Sequence, residues 1–381
     1  MLCSSLSEAI LFPSTIIRSP YLLRLRKTPS KPSSLFLSLP STAAAAVAAA
    51  ATATATVMSV QPQNDSDLAQ QSHRPDNPQT ATYPTPLSPQ LPLISKEIEL
   101  SRAMTASSKS SLFSLSRNDV IFEDEWLIVV NKPRGIYCES VWSSVPRLLE
   151  ESSDFDRLGN PARVSEFHLA NRLDRDTSGL MVITKSHKVA AKLVKAFTDC
   201  KVRKTYIAHC IGLAPEWDRI RVRSGHGRSK FGAWRVYSTS DVGRTLPGGS
   251  FVRNMETAFE VLSVNGEGDF RKASEGEENE DETIVVEEKS SRAMDYMKDE
   301  ILVRAFPRSG RTHQIRLHCQ YLGMPIKGDV KYEGVPEWKG KICDGHELHA
   351  ETLSFEHPVT GLSMMIEAPL PLWASKAIQP S

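Results

Sequence analysis

Residues 168–185 place a cluster of charged side chains directly before a segment that should be buried. Residues 180–183 form an apolar run with β-branched side chains, which predicts a strand inside a sheet. Four charged residues precede that run: Arg172, Asp174, Arg175 and Asp176. A plain turn needs only Asp, Ser or Gly. A carboxylate beside buried strands needs a cation or several donors, because an unpaired buried charge is costly. The segment therefore favours a functional loop over a plain polar turn.

Two other segments combine charge with local structure signals. In residues 308–323, Thr312 is predicted to cap a helix that runs to about Leu322, and Gly323 is placed to end it. Residues 219–235 contain six cations interleaved with glycines and with the aromatic side chains Phe231 and Trp234. That mixture favours a mobile loop that contacts phosphates and bases over a merely solvated face.

The motifs resemble the signatures of the RluA-like pseudouridine synthases. The Arg-Leu-Asp-x-x-Thr-Ser-Gly signature corresponds to residues 172–179, and Gly-Arg-Thr-His-Gln-Ile-Arg to residues 310–316, followed by Gly-x-Pro-Ile-x-Gly-Asp at 323–329. Weaker matches are Asn-Lys-Pro-x-Gly at residues 131–135 and Lys-x-Tyr at Lys204 and Tyr206. The chain departs from the family at Asn171, where His is usual. The resemblance covers about residues 120–373.

This resemblance implies an α+β protein with the pseudouridine synthase fold. In that fold a mixed, mostly antiparallel central sheet is flanked by helices, and the active-site cleft crosses the sheet. The implied activity is the cofactor-free isomerisation of a uridine in structured RNA (rRNA or tRNA) to pseudouridine. Asp174 would be the essential carboxylate, Arg316 its ion-pair partner, and Tyr206 the contact to the base and a candidate general base. Whether Asp174 attacks a carbon or removes a ribose proton stays open.

Further residues are predicted to bind RNA. Arg172 would fill the stack that the flipped uridine leaves. Arg228, Lys230 and Arg235 would grip phosphates, and His313 belongs to the same RNA-binding set. The expected partner is therefore RNA, and the protein is expected to act as a monomer without a metal.

Two hypotheses from other functional classes stay open. One is an RNA-binding or chaperone protein without activity, and Asn171 is its only support. The other is a glycoside-type hydrolase that uses Asp174 and Asp176 as paired carboxylates, although both lie in one short turn.

The amino-terminal part differs in composition from the rest of the chain. Residues 1–57 join a basic, serine-rich stretch to an Ala/Thr tract, which is typical of an organelle transit peptide. The expected destination is a chloroplast or mitochondrion, or the cytoplasm or nucleus if translation starts at Met58. Residues 58–117 are predicted to be a disordered linker with a short helix around residues 95–104. Residues 118–376 are the predicted catalytic domain, with a disordered acidic insertion at 265–300.

Composition argues against a zinc site, a disulfide framework and a membrane span, whereas the overall charge does not distinguish nucleic-acid binders from other proteins. The net charge of the 381-residue chain is +1, so bulk charge does not indicate a nucleic-acid binder. The six cysteines lack the spacing of a zinc site or a disulfide framework. No apolar run is long enough for a membrane span. His346, Glu347 and His349 look weakly like a metal motif, but their spacing favours a surface turn.

Overall fold

The computed structural model describes residues 83–92, 94–150, 166–268, 282–288 and 299–378. The helices are α1 Ile94–Ser111, α2 Cys138–Glu150, α3 His187–Thr198, α4 Gln314–Tyr321 and α5 Leu372–Ile378. The strands are β1 Val120–Glu123, β2 Leu127–Lys132, β3 His168–Leu169, β4 Ser178–Thr184, β5 Arg203–Gly212, β6 Arg219–Arg228, β7 Trp234–Tyr237, β8 Arg253–Val264, β9 Glu282–Val285, β10 Asp299–Pro307, β11 Glu337–Trp338, β12 Lys341–Ile342, β13 Leu348–Glu356 and β14 Ser363–Glu367.

One twelve-stranded sheet forms the frame of the described chain. Its order is β1-β2-β4-β13-β5-β10-β8-β6-β7, with β14 beside β13, β3 beside β4, and β9 beside β6. The β4–β13 and β6–β9 pairs are parallel, and the other named pairs are antiparallel. Strands β11 and β12 form a separate ribbon. The α+β class with a mixed, mostly antiparallel sheet is therefore confirmed.

Helices cover both faces of the sheet around β2 and β4. Leu127 and Val129 of β2 pack with α3, whereas the alternate residues Ile128 and Val130 pack with α2. Alternation sends successive side chains of a strand to opposite faces. Since both faces are covered, every residue of β4 is buried. The charged segment therefore leads directly into a buried strand, as the sequence predicts.

Strands β4 and β13 approach closely where the charged segment enters the sheet. Gly179 has φ +108°, and a Cβ there would lie 2.2 Å from the carbonyl oxygen of Ala350. Only glycine satisfies both the backbone conformation and the available space. This contact brings the segment that precedes β13, residues 343–347, beneath the residues that precede β4.

The described part of the predicted linker is ordered, which differs from the expected boundary. Helix α1 spans 18 residues, longer than the short helix predicted there, and buries Ala106. Residues 83–92 run along β7, where the Leu87 amide donates to the carbonyl of Val236 at 2.8 Å and Ser88 Oγ accepts from the Val236 amide at 3.1 Å. Pairing with a strand edge orders a segment with little apolar content of its own. The predicted transit segment and residues 58–82 lie outside the described residues.

The acidic insertion is also partly structured. Strand β9 lies inside it and pairs in parallel with β6, and Val286 just after it is fully buried. The β-branched run at residues 283–286 explains this strand, because such side chains suit a pleated, buried surface. Residues 269–281 and 289–298, with the acidic block itself, lie outside the described residues.

The basic segment 219–235 is a hairpin rather than a mobile loop. In β6, Arg219, Arg221 and Arg223 alternate along one face, as residues two apart in a strand must. Their partners are on β8: Arg219 lies 2.8 Å from Glu260, and Arg223 lies 3.1 Å from Glu256. These cations are paired with carboxylates of the neighbouring strand, which leaves Arg228 and Lys230 as the exposed candidates for phosphate contact in this segment. No helix in the described ranges is long and apolar enough to cross a membrane.

Candidate active site

Asn171 closes the loop between β3 and β4. Its Oδ1 accepts from the Val182 amide at 2.7 Å, and its Nδ2 donates to the Leu180 carbonyl at 3.2 Å. A side-chain amide carries a donor and an acceptor, so one residue satisfies both backbone groups of β4. The departure from the usual His is thus compatible with an ordered loop.

Asp174 projects from this loop onto Arg316 of α4. Arg316 Nη1 donates to Asp174 Oδ2 at 2.7 Å, so the predicted ion pair is present. The same guanidinium donates from Nε and Nη2 to the carboxylate of Asp329, at 2.6 and 2.8 Å. Such bidentate contacts fix orientation as well as supplying charge. Arg316 therefore presents one defined N–H edge to Asp174.

The electrostatics of this cluster keep Asp174 ionised. Burial would raise the pKa of the Asp174 carboxyl, but Arg316, followed by His313 and His346, holds that pKa far below its ordinary value. The pKa of Asp329 is also lowered: burial opposes ionisation, and Arg316 outweighs it. The Asp174 side chain retains 29% exposure, whereas Asp329 retains 1%. Asp174 is thus the carboxylate of the two that a substrate can reach.

His313 belongs to the group of residues around Asp174 and Arg316 that forms the candidate pocket, and its predicted contact with RNA stays a prediction. Its Nδ1 lies 2.7 Å from the Tyr332 hydroxyl, and its Nε2 lies 3.7 Å from Asp174 Oδ2. Burial and the neighbouring Arg316 lower the pKa of His313 to about 3, so the ring is neutral at pH 7. The residue has φ +58° and stands where the cap of α4 was expected; Thr312 does not cap the helix. This left-handed conformation is rare outside glycine and marks a locally constrained backbone.

A buried lysine supports the loop from one side. Lys132 is fully buried, and its Nζ donates to the carbonyls of Pro133, Ile136 and Arg175 at 3.0, 2.8 and 3.0 Å. Burial lowers the pKa of Lys132 to about 8. Three carbonyls satisfy the three donors of an ammonium group. The weak Asn-Lys-Pro motif therefore has a physical role here, because it ties β2 to the loop.

The predicted surface turn at residues 346–349 is buried and supports the loop from below. His346 Nε2 lies 2.8 Å from Thr177 Oγ1, and His349 Nδ1 lies 2.8 Å from Ser178 Oγ. Both histidines are buried, at 3% and 1% exposure, and burial lowers the pKa of each to about 4. The turn expectation was wrong because the parallel contact of β13 with β4 brings this segment into the interior. Within the described ranges, no group of side chains could hold a metal ion.

Helix α1 braces the loop from outside. Arg175 binds both oxygens of Asp176, at 2.7 and 2.6 Å, and its Nη2 reaches Glu99 of α1 at 3.4 Å. Arg102 of α1 donates to the carbonyls of Gly328, at 2.7 Å, and Cys343. Helix α1 therefore contacts the segments on both sides of the pocket.

Tyr206 lies half-buried on β5. Burial, followed by the charge of Asp174, raises the pKa of its phenol well above the ordinary value. The phenol therefore keeps its proton at neutral pH. This finding favours a contact or donor role for Tyr206 over the predicted role of a general base in the free protein.

Of the four other residues predicted to contact RNA, three have exposed side chains and one is buried. Arg172 is 72% exposed and pairs with Glu139 at 2.8 Å, and Arg228 and Lys230 are exposed near the β6–β7 turn. Arg235 differs: it is 6% exposed, and its Nη1 donates to the carbonyl of Pro89. Its assignment as a phosphate contact was wrong, because residues 83–92 cover that face of β7.

Several pocket residues were not assigned a role from the sequence: Lys132, Asp329, Tyr332 and His346. Asp329 ends the third motif, so its carboxylate was visible as a possible partner for a nearby cation. Tyr332 lies beyond that motif, and its ring lies 5.0 Å from the Arg316 guanidinium carbon. No local pattern distinguishes such a tyrosine from an ordinary half-buried aromatic.

Comparisons with known proteins agree with the motifs. A sequence model of the family described as RNA pseudouridylate synthase matches residues 126–321. "RNA pseudouridine synthase 1" of Arabidopsis thaliana is 61% identical over 297 residues, covering 77% of this chain and 87% of that relative. The protein of the same name from Oryza sativa subsp. japonica is 59% identical, covering 78% of this chain and 85% of the relative. "Ribosomal large subunit pseudouridine synthase C" of Yersinia pestis is 31% identical, covering 66% and 65%. On these similarities, and in agreement with the sequence motifs, the chain belongs to the RNA pseudouridylate synthase family.

Proposed function

We propose that this protein is an RluA-type enzyme that converts a uridine of rRNA or tRNA to pseudouridine, with Asp174 as the essential carboxylate. The observation that carries the proposal is the Asp174–Arg316 contact of 2.7 Å in a pocket where Asp174 stays 29% exposed. A carboxylate held ionised, partly dry and still reachable is suited to nucleophilic or base chemistry at the ribose. The ribosomal relative from Yersinia pestis supports rRNA as a substrate class by similarity.

The proposed reaction balances without a redox partner. The bond between N1 of uracil and C1′ of ribose breaks, and a bond between C5 and C1′ forms. C5 loses a proton and N1 gains one, so the product is an isomer of the substrate. Asp174 either attacks the sugar or removes a ribose proton, and Arg316 stabilises its charge. Tyr206 contacts the detached base, and Arg172, Arg228 and Lys230 hold the RNA.

The hydrolase hypothesis receives no support from the second aspartate. Asp176 is 3% exposed, and both its oxygens are occupied by Arg175. A hydrolytic pair needs two carboxyl groups that face one substrate across a gap of about 5–10 Å. The inactive-protein hypothesis rested on Asn171, whose two backbone contacts keep the loop closed.

The decisive experiment measures tritium release from carbon 5 of labelled uridine in RNA. The wild-type protein should release tritium from total rRNA or tRNA, and Asp174→Ala and Asp174→Asn should not, while both variants still bind RNA. Asp344→Asn, which changes an exposed aspartate, is the matched control and should react normally. Wild-type turnover by Asp174→Ala would overturn the proposed carboxylate. Tight RNA binding without release by the wild type would favour the inactive binding protein.

We further propose that the full chain is imported into a chloroplast or mitochondrion and acts as a monomer. The composition of residues 1–57 supports import. A fluorescent fusion of the full chain should enter an organelle, whereas a fusion starting at Met58 should not. An exclusively cytosolic full-length fusion would contradict import. Light scattering of the purified protein tests the monomer, and a dimer mass would contradict it.

A further inference from the structure

Two arginines beside the pocket stand outside the ion-pair network of the active site. Arg311 Nε donates to the carbonyl of Asn254 at 3.2 Å, and Arg253 is the residue before Asn254. Arg253 also lies opposite His226 in the β6–β8 register. His226 Nε2 in turn donates to the Thr312 carbonyl at 2.9 Å. The two arginines therefore converge on the segment that leads directly into His313 and the pocket.

Neither of these arginines is paired with a carboxylate of the residues that the structure describes. Other cations in this region are paired: Arg223 lies 3.1 Å and Arg308 3.7 Å from oxygens of Glu256. Within the described parts of the chain, Arg253 and Arg311 have no carboxylate within ion-pair distance. Arg253 is exposed and Arg311 half-buried, so both side chains are open to solvent, and Arg311 lies two residues before His313.

The positive charges of Arg253 and Arg311 repel each other. Burial and then the charge of Arg253 lower the pKa of Arg311. Burial lowers the pKa of His226 to about 4, and Arg311 and Arg253 contribute to that lowering. Lys204 adds a third cation, because its Nζ donates to the Ser309 carbonyl at 3.0 Å. Like charges held together cost free energy until an anion lies between them.

We propose that Arg253 and Arg311 form a binding site for one backbone phosphate of the substrate RNA, next to the uridine that enters the pocket. A guanidinium fork matches the oxygens of a phosphodiester. Phosphate contacts of this kind set the position of a nucleic acid on a protein. The site rests on the proposed function, because the phosphate belongs to the RNA strand whose uridine reaches Asp174. The Trp234 ring, stacked on His226 at 4.8 Å, continues this surface toward Arg228.

The test compares the loss of two charges at Arg253 and Arg311 with the loss of two charges at cations that are paired with carboxylates. A fluorescein-labelled RNA stem-loop with uridines in its loop is titrated by anisotropy at several KCl concentrations. Arg253→Ala/Arg311→Ala should weaken binding about tenfold and reduce the slope of log Kd against log salt by about one. Lys195→Ala/Arg244→Ala also removes two charges and should leave the slope unchanged, because Asp199 pairs with Lys195 and Asp241 pairs with Arg244. Arg253→Lys/Arg311→Lys should keep most of the slope, since its charge remains.

A chemical change in the RNA tests the same contact from the other side. Single phosphates around the loop uridine are replaced one at a time by methylphosphonates. The affinity of each RNA is measured for the wild type and for Arg253→Ala/Arg311→Ala. At one position the uncharged linkage should weaken wild-type binding but leave the double-alanine variant unaffected. Such loss of additivity identifies the contacted phosphate. Additive losses at every position would overturn the proposal.

Melting temperature and activity distinguish a phosphate site from a purely structural role of the two arginines. Arg253→Ala/Arg311→Ala should melt close to the wild type, because it loses the Arg311 contact with the Asn254 carbonyl but also removes like-charge repulsion. A markedly lower melting temperature with an unchanged slope would indicate a structural role and overturn the proposal. Equal slopes for Arg253→Ala/Arg311→Ala and Lys195→Ala/Arg244→Ala would also overturn it. Failure of the wild type to release carbon 5 tritium would refute the enzymatic function, while the slope and methylphosphonate results would still decide the phosphate site.

Discussion

At the scale of residues, the site depends on how one guanidinium is divided between two carboxylates. Arg316 gives Nε and Nη2 to Asp329 and Nη1 to Asp174. The buried Asp329 fixes the plane of the guanidinium, and the partly exposed Asp174 contacts the remaining Nη1 edge. Lysine has no such planar fork, so it cannot serve both partners in the same geometry.

We expect Asp329→Asn to damage stability and turnover together. Asn offers one acceptor oxygen where Asp329 offers two, so one buried N–H of Arg316 loses its partner, which typically costs about 1–3 kcal/mol or more. Urea unfolding measures the loss, and tritium release measures turnover. Arg316→Ala should be inactive and more strongly destabilised, by about 3–5 kcal/mol, because Asp174 and Asp329 both lose their cation. Arg316→Lys should recover only part of either property. Wild-type turnover by Asp329→Asn would show that Asp174 does not need an oriented Arg316.

At the scale of elements, α1 and the 83–92 segment extend the fold before the matched family region, which begins at residue 126. Arg102 donates to two carbonyls on the far side of the pocket, and Glu99 reaches Arg175 at 3.4 Å. The Ser110 hydroxyl accepts from the Tyr137 amide at 3.2 Å, near the start of α2. Helix α1 is thus tied to the loop and to its supports.

A shortened protein that begins at residue 83 should unfold and react like the full chain. One that begins at residue 118 should melt at a lower temperature and turn over more slowly, since it loses the α1 contacts. Arg102→Ala should cost about 1–3 kcal/mol by leaving buried carbonyls unsatisfied. Lys96→Ala, at an exposed position on the same helix, is the matched control. Equal melting of the two shortened proteins would show that α1 is dispensable.

The acidic insertion should separate into a dispensable part and a structural part. Replacing residues 269–281 with a Gly/Ser segment of equal length should leave the melting temperature and activity largely intact. Extending the replacement through residue 288 should destabilise the protein, because β9 and the fully buried Val286 are then lost. Calorimetry of the two variants measures the difference. No additional loss for the longer replacement would contradict a structural role for β9.

At the scale of the whole molecule, buried neutral histidines are a common feature. Burial lowers the pKa to about 3 or 4 for each of these: His226, His313, His318, His346 and His349. The unfolded chain has histidine pKa values near about 6.5. Folded-state pKa values below the unfolded value mean that unfolding takes up protons as the pH falls below about 6.5.

Stability should therefore be highest above about pH 6.5 and should fall steadily toward about pH 4. Each such histidine contributes about 1.4 kcal/mol per pH unit within that window. The lowered carboxyl pKa values of Asp174 and Asp329 add losses only below the ordinary aspartate range. Thermal melting across pH measures the slope. His349→Gln should reduce it by about one proton, and the exposed His187→Ala should not. A flat profile between about pH 6.5 and 5 would contradict the buried neutral state.

The sequence by itself determined those features that depend on residues close together in the chain: a buried strand, the ends of helices and the continuous motifs. The apolar run of β4 predicted a buried strand, and Ser186 caps α3 by accepting from the Val189 amide. Gly323 ends α4 with φ +73°. The motifs also brought out Asp174 and Arg316 and the family, because each motif is continuous along the chain.

Tertiary structure decided which of several similar residues are exposed, paired or buried. Arg228 and Arg235 come from one basic segment, yet residues 83–92 cover only Arg235. His346 resembled a surface residue until the contact of β13 with β4 placed it under Thr177. Arg223 lies 3.1 Å from Glu256 of the neighbouring strand, whereas no carboxylate of the described residues pairs with Arg253. Burial and pairing arise from contacts between distant segments, and because such contacts leave no local periodicity, only the folded chain determines them.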